Sequence, residues 1–172
     1  MENMLKKLKK FIVVAAAAVI LSAGFATAAP NEAHAAHWAD KQMRWAFNEG
    51  IITADLRDNL ATRQDAWLML FRTWAPYESS IQGTGYGSAR NYVIREEISD
   101  GLRGTNWVTR DEMMGMIYQA FGVGRAWIPE YGFSLSRKWA IRNGIYDGSR
   151  GNDFATRAEV VAMLYNANAR YN

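Results

Sequence analysis

Three arginines occupy matching places in this chain: Thr62-Arg63-Gln64-Asp65, Thr109-Arg110-Asp111-Glu112 and Thr156-Arg157-Ala158-Glu159. A threonine followed three residues later by an acid is the pattern of a helix capping box. The hydroxyl accepts from the N3 amide, and the acid reaches back to the cap amide. The threonine and the acid therefore have a sufficient structural explanation. The arginine has none, because it falls on the first helical residue, where the helix dipole disfavours a cation. An anion beside each arginine would account for it. That anion could be a carboxylate of a neighbouring segment, such as Asp100 or Asp147. It could equally be an acidic ligand group, held by the guanidinium and by the free amides of the helix start. The residues alone leave both open.

Other chemistry is thinly supplied. The chain has no Cys and only two His, His34 and His37. That removes thiol catalysis and Cys-ligated zinc, and leaves little for His-based metal or Ser-His-Asp sites. Glu96 and Glu97 are adjacent, so on a helix they point apart and make a poor acid/base pair. The stretch from Asp147 to Asp153 lacks the alternating ligands and closing Glu of an EF-hand. Gly83-x-Gly85-x-Gly87 follows no strand and reads as a flexible linker. No catalytic residue, metal site or cofactor is expected, and the chain is not expected to be an enzyme. The aromatic residues could stack on sugar rings. Small helical units need large side chains to fill their interfaces, however, so Trp45, Tyr92, Trp139, Trp107 and Phe154 are expected in the core.

The elements that position the arginines repeat. The Thr-Arg dipeptides at 62, 109 and 156 are 47 residues apart, and sliding the chain by that period aligns much more. Met69, Met116 and Met163 coincide, as do Leu60, Trp107 and Phe154. Ile51, Ile98 and Ile145 coincide, and so do Trp45, Tyr92 and Trp139. Apolar spacing at i, i+3 and i+4 predicts helices over Arg63–Trp74, Arg110–Phe121 and Arg157–Asn168. A first helix precedes each: roughly His37–Glu49, Ala89–Glu97 and Leu135–Asn143. Asp100-Gly101 and Asp147-Gly148 mark the turn between helices in the second and third copies. Pro76–Ser88 and Gly122–Gly132 read as loops. The expectation is an all-α fold of three helix–loop–helix repeats, over 36–79, 84–125 and 131–172. Each is too small to bury its own apolar face, so they should pack on one another.

Residues 1–35 read as a signal peptide, with a basic start, an apolar run over Phe11–Phe25 and small residues at Ala26-Thr27-Ala28 and Ala33-His34-Ala35. Cleavage is expected after Ala28 or Ala35. The apolar run is short for a membrane span, which takes roughly 20 residues. No stable span is expected after cleavage, and export to the cell envelope is. The formal charge of +3 includes Lys6, Lys7, Lys9 and Lys10. The rest of the chain is nearly neutral, which gives no support for nucleic-acid binding.

The third copy reads Trp139-Ala140-Ile141-Arg142-Asn143-Gly144-Ile145-Tyr146-Asp147-Gly148, then Phe154-Ala155-Thr156-Arg157-Ala158-Glu159; the first has His37-Trp38-Ala39, Gly50-Ile51-Ile52 and Thr62-Arg63. This pattern resembles the S-layer homology motif, and the likeness covers essentially all of the chain after the signal peptide. The resemblance implies three tandem motifs folded as a pseudo-threefold helical bundle. It also implies non-covalent binding to a cell-wall polysaccharide or peptidoglycan-linked polymer, commonly a pyruvylated secondary polysaccharide, with other surface proteins as further partners. The arginine of each motif would lie in an inter-repeat groove. The candidate ligand contacts are Arg63, Arg110 and Arg157, with Asp100, Asp147 and Gly148 of the turns. The chain departs from the pattern at several places. No Pro precedes Thr-Arg, Glu97 stands where the other copies have Gly50 and Gly144, and Thr53-Ala54 replaces the Asp-Gly turn. A reading from another class stays beside this one: a structural or protein-interaction module whose arginines pair only between repeats or with a partner protein.

Overall fold

The computed structural model describes residues 36–75, 85–121 and 128–171. The signal peptide expected over 1–35 lies outside the described residues. From Trp38 onward the chain forms one compact unit. It is all-α: α1 (Asp40–Asn48), α2 (Arg63–Trp74), α3 (Tyr86–Arg95), α4 (Arg110–Ala120), a 3-10 turn (Pro129–Tyr131), α5 (Ser134–Arg142) and α6 (Arg157–Tyr171). Among the described residues there is no strand.

The starts of α2, α4 and α6 fall where the capping boxes predict. The Oγ1 of Thr62, Thr109 and Thr156 accepts from the amides of Asp65, Glu112 and Glu159 at 3.2, 3.1 and 3.2 Å. The three acids accept in return from the threonine amides, each at 2.9 Å. The other three helices start less sharply. Ala39, Gly85 and Phe133 stand at their caps and give no side-chain bond. Accordingly α1 begins at Asp40 rather than His37, and α3 begins at Tyr86 rather than Ala89. Gly87 lies inside α3, so the expected Gly linker ends earlier than its composition suggested.

The helix pairs in contact are not sequence neighbours joined through the Asp-Gly turns. The principal packing is α2 on α3, α4 on α5 and α1 on α6, and α6 also meets α2 and α4. Between them lies one apolar core, with Trp67, Met69, Leu70, Met113, Met114, Ile117, Val160 and Leu164 among its buried side chains. Ring contacts seal the interfaces: Trp45 against Tyr165, Phe71 against Tyr92 and Tyr118 against Trp139.

A set of backbone bonds ties the segments just before α2, α4 and α6 together. Ala61 N–H donates to Ala155 O (2.9 Å), Ala155 N–H to Val108 O (2.9 Å) and Val108 N–H to Ala61 O (3.0 Å). Isolated bridges pair Leu60 with Thr156, Thr62 with Trp107 and Thr109 with Phe154. In extended backbone, successive side chains point to opposite sides. Ala61, Val108 and Ala155 point in and are fully buried. Their neighbours Leu60, Trp107 and Phe154 point out and are exposed. Trp107 and Phe154 therefore do not pack in the core, contrary to expectation. The helical assumption behind it does not hold for two residues of extended chain.

Candidate functional site

Each of the three arginines reaches from the first turn of its helix to the acid that closes the next capping box. Arg63 Nη1 donates to Glu112 Oε1 at 2.7 Å, Arg110 Nη1 to Glu159 Oε1, and Arg157 Nη1 lies 3.3 Å from Asp65 Oδ1. The acid at N3 thus serves two masters, its own cap and a neighbour's cation. This cross-linking role is invisible in any one copy, where the capping box alone explains the acid.

The helix starts themselves hold no free amides. The N1 amides of Arg63, Arg110 and Arg157 donate to the carbonyls of Asn106, Asp153 and Asn59 at 2.8, 3.0 and 2.8 Å. The N2 amides of Gln64, Asp111 and Ala158 donate to Gly104, Gly151 and Arg57 at 2.8, 3.0 and 3.0 Å. With N3 held by threonine, the orphan donors of the helix start are spent on a neighbouring loop. The backbone half of the anion site that the sequence left open is taken up within the protein, and the guanidinium alone remains to meet a ligand.

Two of the three guanidiniums are heavily engaged. Arg63, 8% exposed in its side chain, also donates to Leu102 O (3.1 Å), Ser99 Oγ (3.3 Å) and Asp100 Oδ1 (3.1 Å). Arg110, 7% exposed, donates to Ser149 O (3.2 Å) and Asp147 Oδ1 (2.9 Å), and its guanidinium lies 5.1 Å from the Tyr146 ring. Asp100 and Asp147 are thus brought to their arginines, as the sequence allowed. Gly148 shapes the turn instead: its φ is +78°, and a Cβ there would fall 2.5 Å from Ile141 Cδ1. That explains the glycine without a ligand.

Arg157 differs. The first copy carries Thr53-Ala54 where the others carry Asp-Gly, so no turn carboxylate meets it. Its side chain is 17% exposed, and its Nε is buried with no hydrogen-bond partner among the described residues. It lines a cavity of about 290 Å³ with Thr53, Asp65, Arg72 and Tyr86. The charged groups on this wall are two arginines and one aspartate. The corresponding cavity at Arg63 has Arg63 and Arg103 against Glu97, Asp100 and Glu112. The one at Arg110 has Arg110 and Arg150 against Asp147 and Glu159. Only the Arg157 cavity has an excess of positive charge among these three.

The carboxylates are held ionised. Burial pushes Asp65 up, but the Thr62 hydroxyl and amide, the Tyr86 hydroxyl (2.8 Å) and Arg157 outweigh it and leave it below the ordinary carboxylate range. Burial likewise raises Glu159, and bonds from the Thr156 amide and Arg150, with the charge of Arg110, pull it below. Asp100 and Asp147 also end low: burial opposes, while the amides of Leu102 and Ser149 and the adjacent arginines prevail. Burial first, then the bond to Asp65, raises the Tyr86 hydroxyl, which therefore stays a neutral donor.

Sequence reading missed Arg72 and Tyr86. The signal for Arg72 was a break in its column, since the positions 47 residues on are Gln119 and Asn166. A scan against models of known protein families finds no match, and a search of curated proteins finds no relative.

Proposed function

We propose that this chain is an exported cell-envelope module that binds an acidic cell-wall polysaccharide non-covalently, as its S-layer homology resemblance implies. Its three repeats are read as a closed pseudo-threefold bundle. Supporting this are the bonds among Ala61, Ala155 and Val108 and the arginine-to-acid links, both of which recur every 47 residues and return from the third copy to the first. The observation that carries the binding reading is the excess positive charge at Arg157, together with its unpartnered buried Nε. A carboxylate on the polymer, a pyruvyl or uronic group, would accept from Arg157 and lie beside Arg72. A charge-assisted bond of this kind is roughly twice as strong as a neutral one. Arg63 and Arg110 are read as ties between repeats. The chain binds and does not catalyse.

The test is sedimentation of the purified protein with cell-wall sacculi, with and without their acid-labile polymer. Arg157→Ala and Arg72→Ala should each weaken polymer-dependent binding about tenfold, as expected for about 1.4 kcal/mol. Arg142→Ala, exposed at the end of α5, should leave it unchanged. Equal loss in the Arg142 variant would remove the Arg157 cavity from the argument. The full engagement of Arg63 and Arg110 favours a second reading, a structural or protein-interaction module. A folded chain that sediments with no sacculi would decide for that.

A further inference from the structure

We propose a second binding site, distinct from the Arg157 cavity, in which a neutral disaccharide lies between Trp107 and Phe154. The two side chains are 46% and 50% exposed. Neither ring stacks on another ring among the described residues, so their faces are open to a ligand. Both line a cavity of about 450 Å³, within the range of small-molecule sites. Its remaining walls are polar, with Thr105, Asn106 and Arg103 at the edge and the Arg63–Glu112 pair below.

The occupant follows from that lining. A sugar ring has an apolar C–H face and a hydroxylated rim, so it needs an aromatic platform with donors and acceptors around it. Trp107 and Phe154 supply the platform. Thr105 and Asn106 are exposed and supply donors and acceptors. The Arg103 guanidinium is held only at 3.9 Å from Asp100, the outer limit of an ion pair, and can turn to a hydroxyl. Arg63 and Glu112 neutralise each other, and the remaining cation, Arg103, has Asp100 as its counter-ion, whereas Arg72 at the Arg157 cavity bonds only the Ile51 carbonyl among the described residues; the site therefore has no fixed preference for an anion. An apolar peptide would leave these polar groups unpaired, at a cost in desolvation.

The matching places at the other two junctions are poorer. There Leu60 replaces one aromatic, beside Phe154 in one case and Trp107 in the other. Only the Trp107–Phe154 junction offers two π-faces. The same outward turn that keeps these residues from the core creates the platform. Burial would be the default use of such side chains, and here three bridged segments prevent it.

The experiment uses ¹⁵N-labelled protein and millimolar cellobiose or chitobiose. The Trp107 indole resonance is assigned by its loss in Trp107→Phe. Addition of disaccharide should shift that resonance, and Phe154→Leu should weaken the binding about tenfold. Phe154→Leu reproduces the side chain that Leu60 presents at the matching position, so folding is preserved. Asn106→Ala, which leaves the fold's backbone bonds intact, should also weaken it. Arg157→Ala should not, which separates this site from the acidic-glycan reading. An unmoved Trp107 indole with both sugars would overturn the proposal. So would sugar binding that Arg157→Ala abolishes and Phe154→Leu leaves intact.

Discussion

Glu97 shows how one residue can carry strain that its counterparts avoid. Gly50 and Gly144 turn the chain after α1 and α5 with φ of +68° and +67°, and Glu97 adopts +56° after α3. A side chain in this left-handed region costs roughly 1 kcal/mol, because Cβ crowds the following carbonyl oxygen. Glu97→Gly should therefore raise stability by about 0.5–1 kcal/mol, read as a higher urea midpoint with unchanged slope. The position was marked in the sequence as the odd member of a glycine column. The backbone angle was not, because one copy with Glu is compatible with a different turn. At Arg157 the converse held. The arginine was found by its repeat, but its orphaned Nε was not, because in the other copies that atom is held by the backbone carbonyls of Leu102 and Ser149, which no side chain in the sequence marks.

At the scale of helices, the capping boxes set the starts of α2, α4 and α6, and those starts were readable to the residue. The first helices were placed only approximately, since no side chain caps them. The partnership between helices was not legible at all, because periodicity says which face is apolar and not what covers it. That partnership makes the cross-links unequal. Removing Arg63 leaves Glu112, 20% exposed, with the Thr109 amide as its one remaining partner among the described residues. Breaking such a pair from one side costs about 3–5 kcal/mol when it is fully buried, and about 2–3 here. Removing Arg110 leaves Glu159 still bonded to Arg150 at 2.6 Å. Arg63→Ala should therefore destabilise more than Arg110→Ala. Thermal denaturation of the two variants checks the order.

At the scale of the whole fold, four carboxylates among the described residues are more acidic than in the open chain: Asp65, Asp100, Asp147 and Glu159. Their contribution to stability is present above the unfolded carboxylate range of about 3.9–4.3. It is lost as the pH falls through their lower folded values, where the native state must take up protons. The urea midpoint should be flat between about pH 5 and 7 and should fall below about pH 4. Added salt should have little effect at pH 7 on the Arg63–Glu112 and Arg110–Glu159 pairs, since mostly buried pairs are weakly screened.

The packing of α1 on α6 also has a consequence in time. A chain made from its N-terminus completes α1 before the other described helices, yet the surface that covers α1 belongs to α6, the last of them. Contacts of such large sequence separation form late, after the loop-closure entropy has been met. α1 must wait with its apolar face, including Met43 and Ala46, uncovered until α6 has been made. Closure of the bundle over α1 is therefore a late event in the making of this fold.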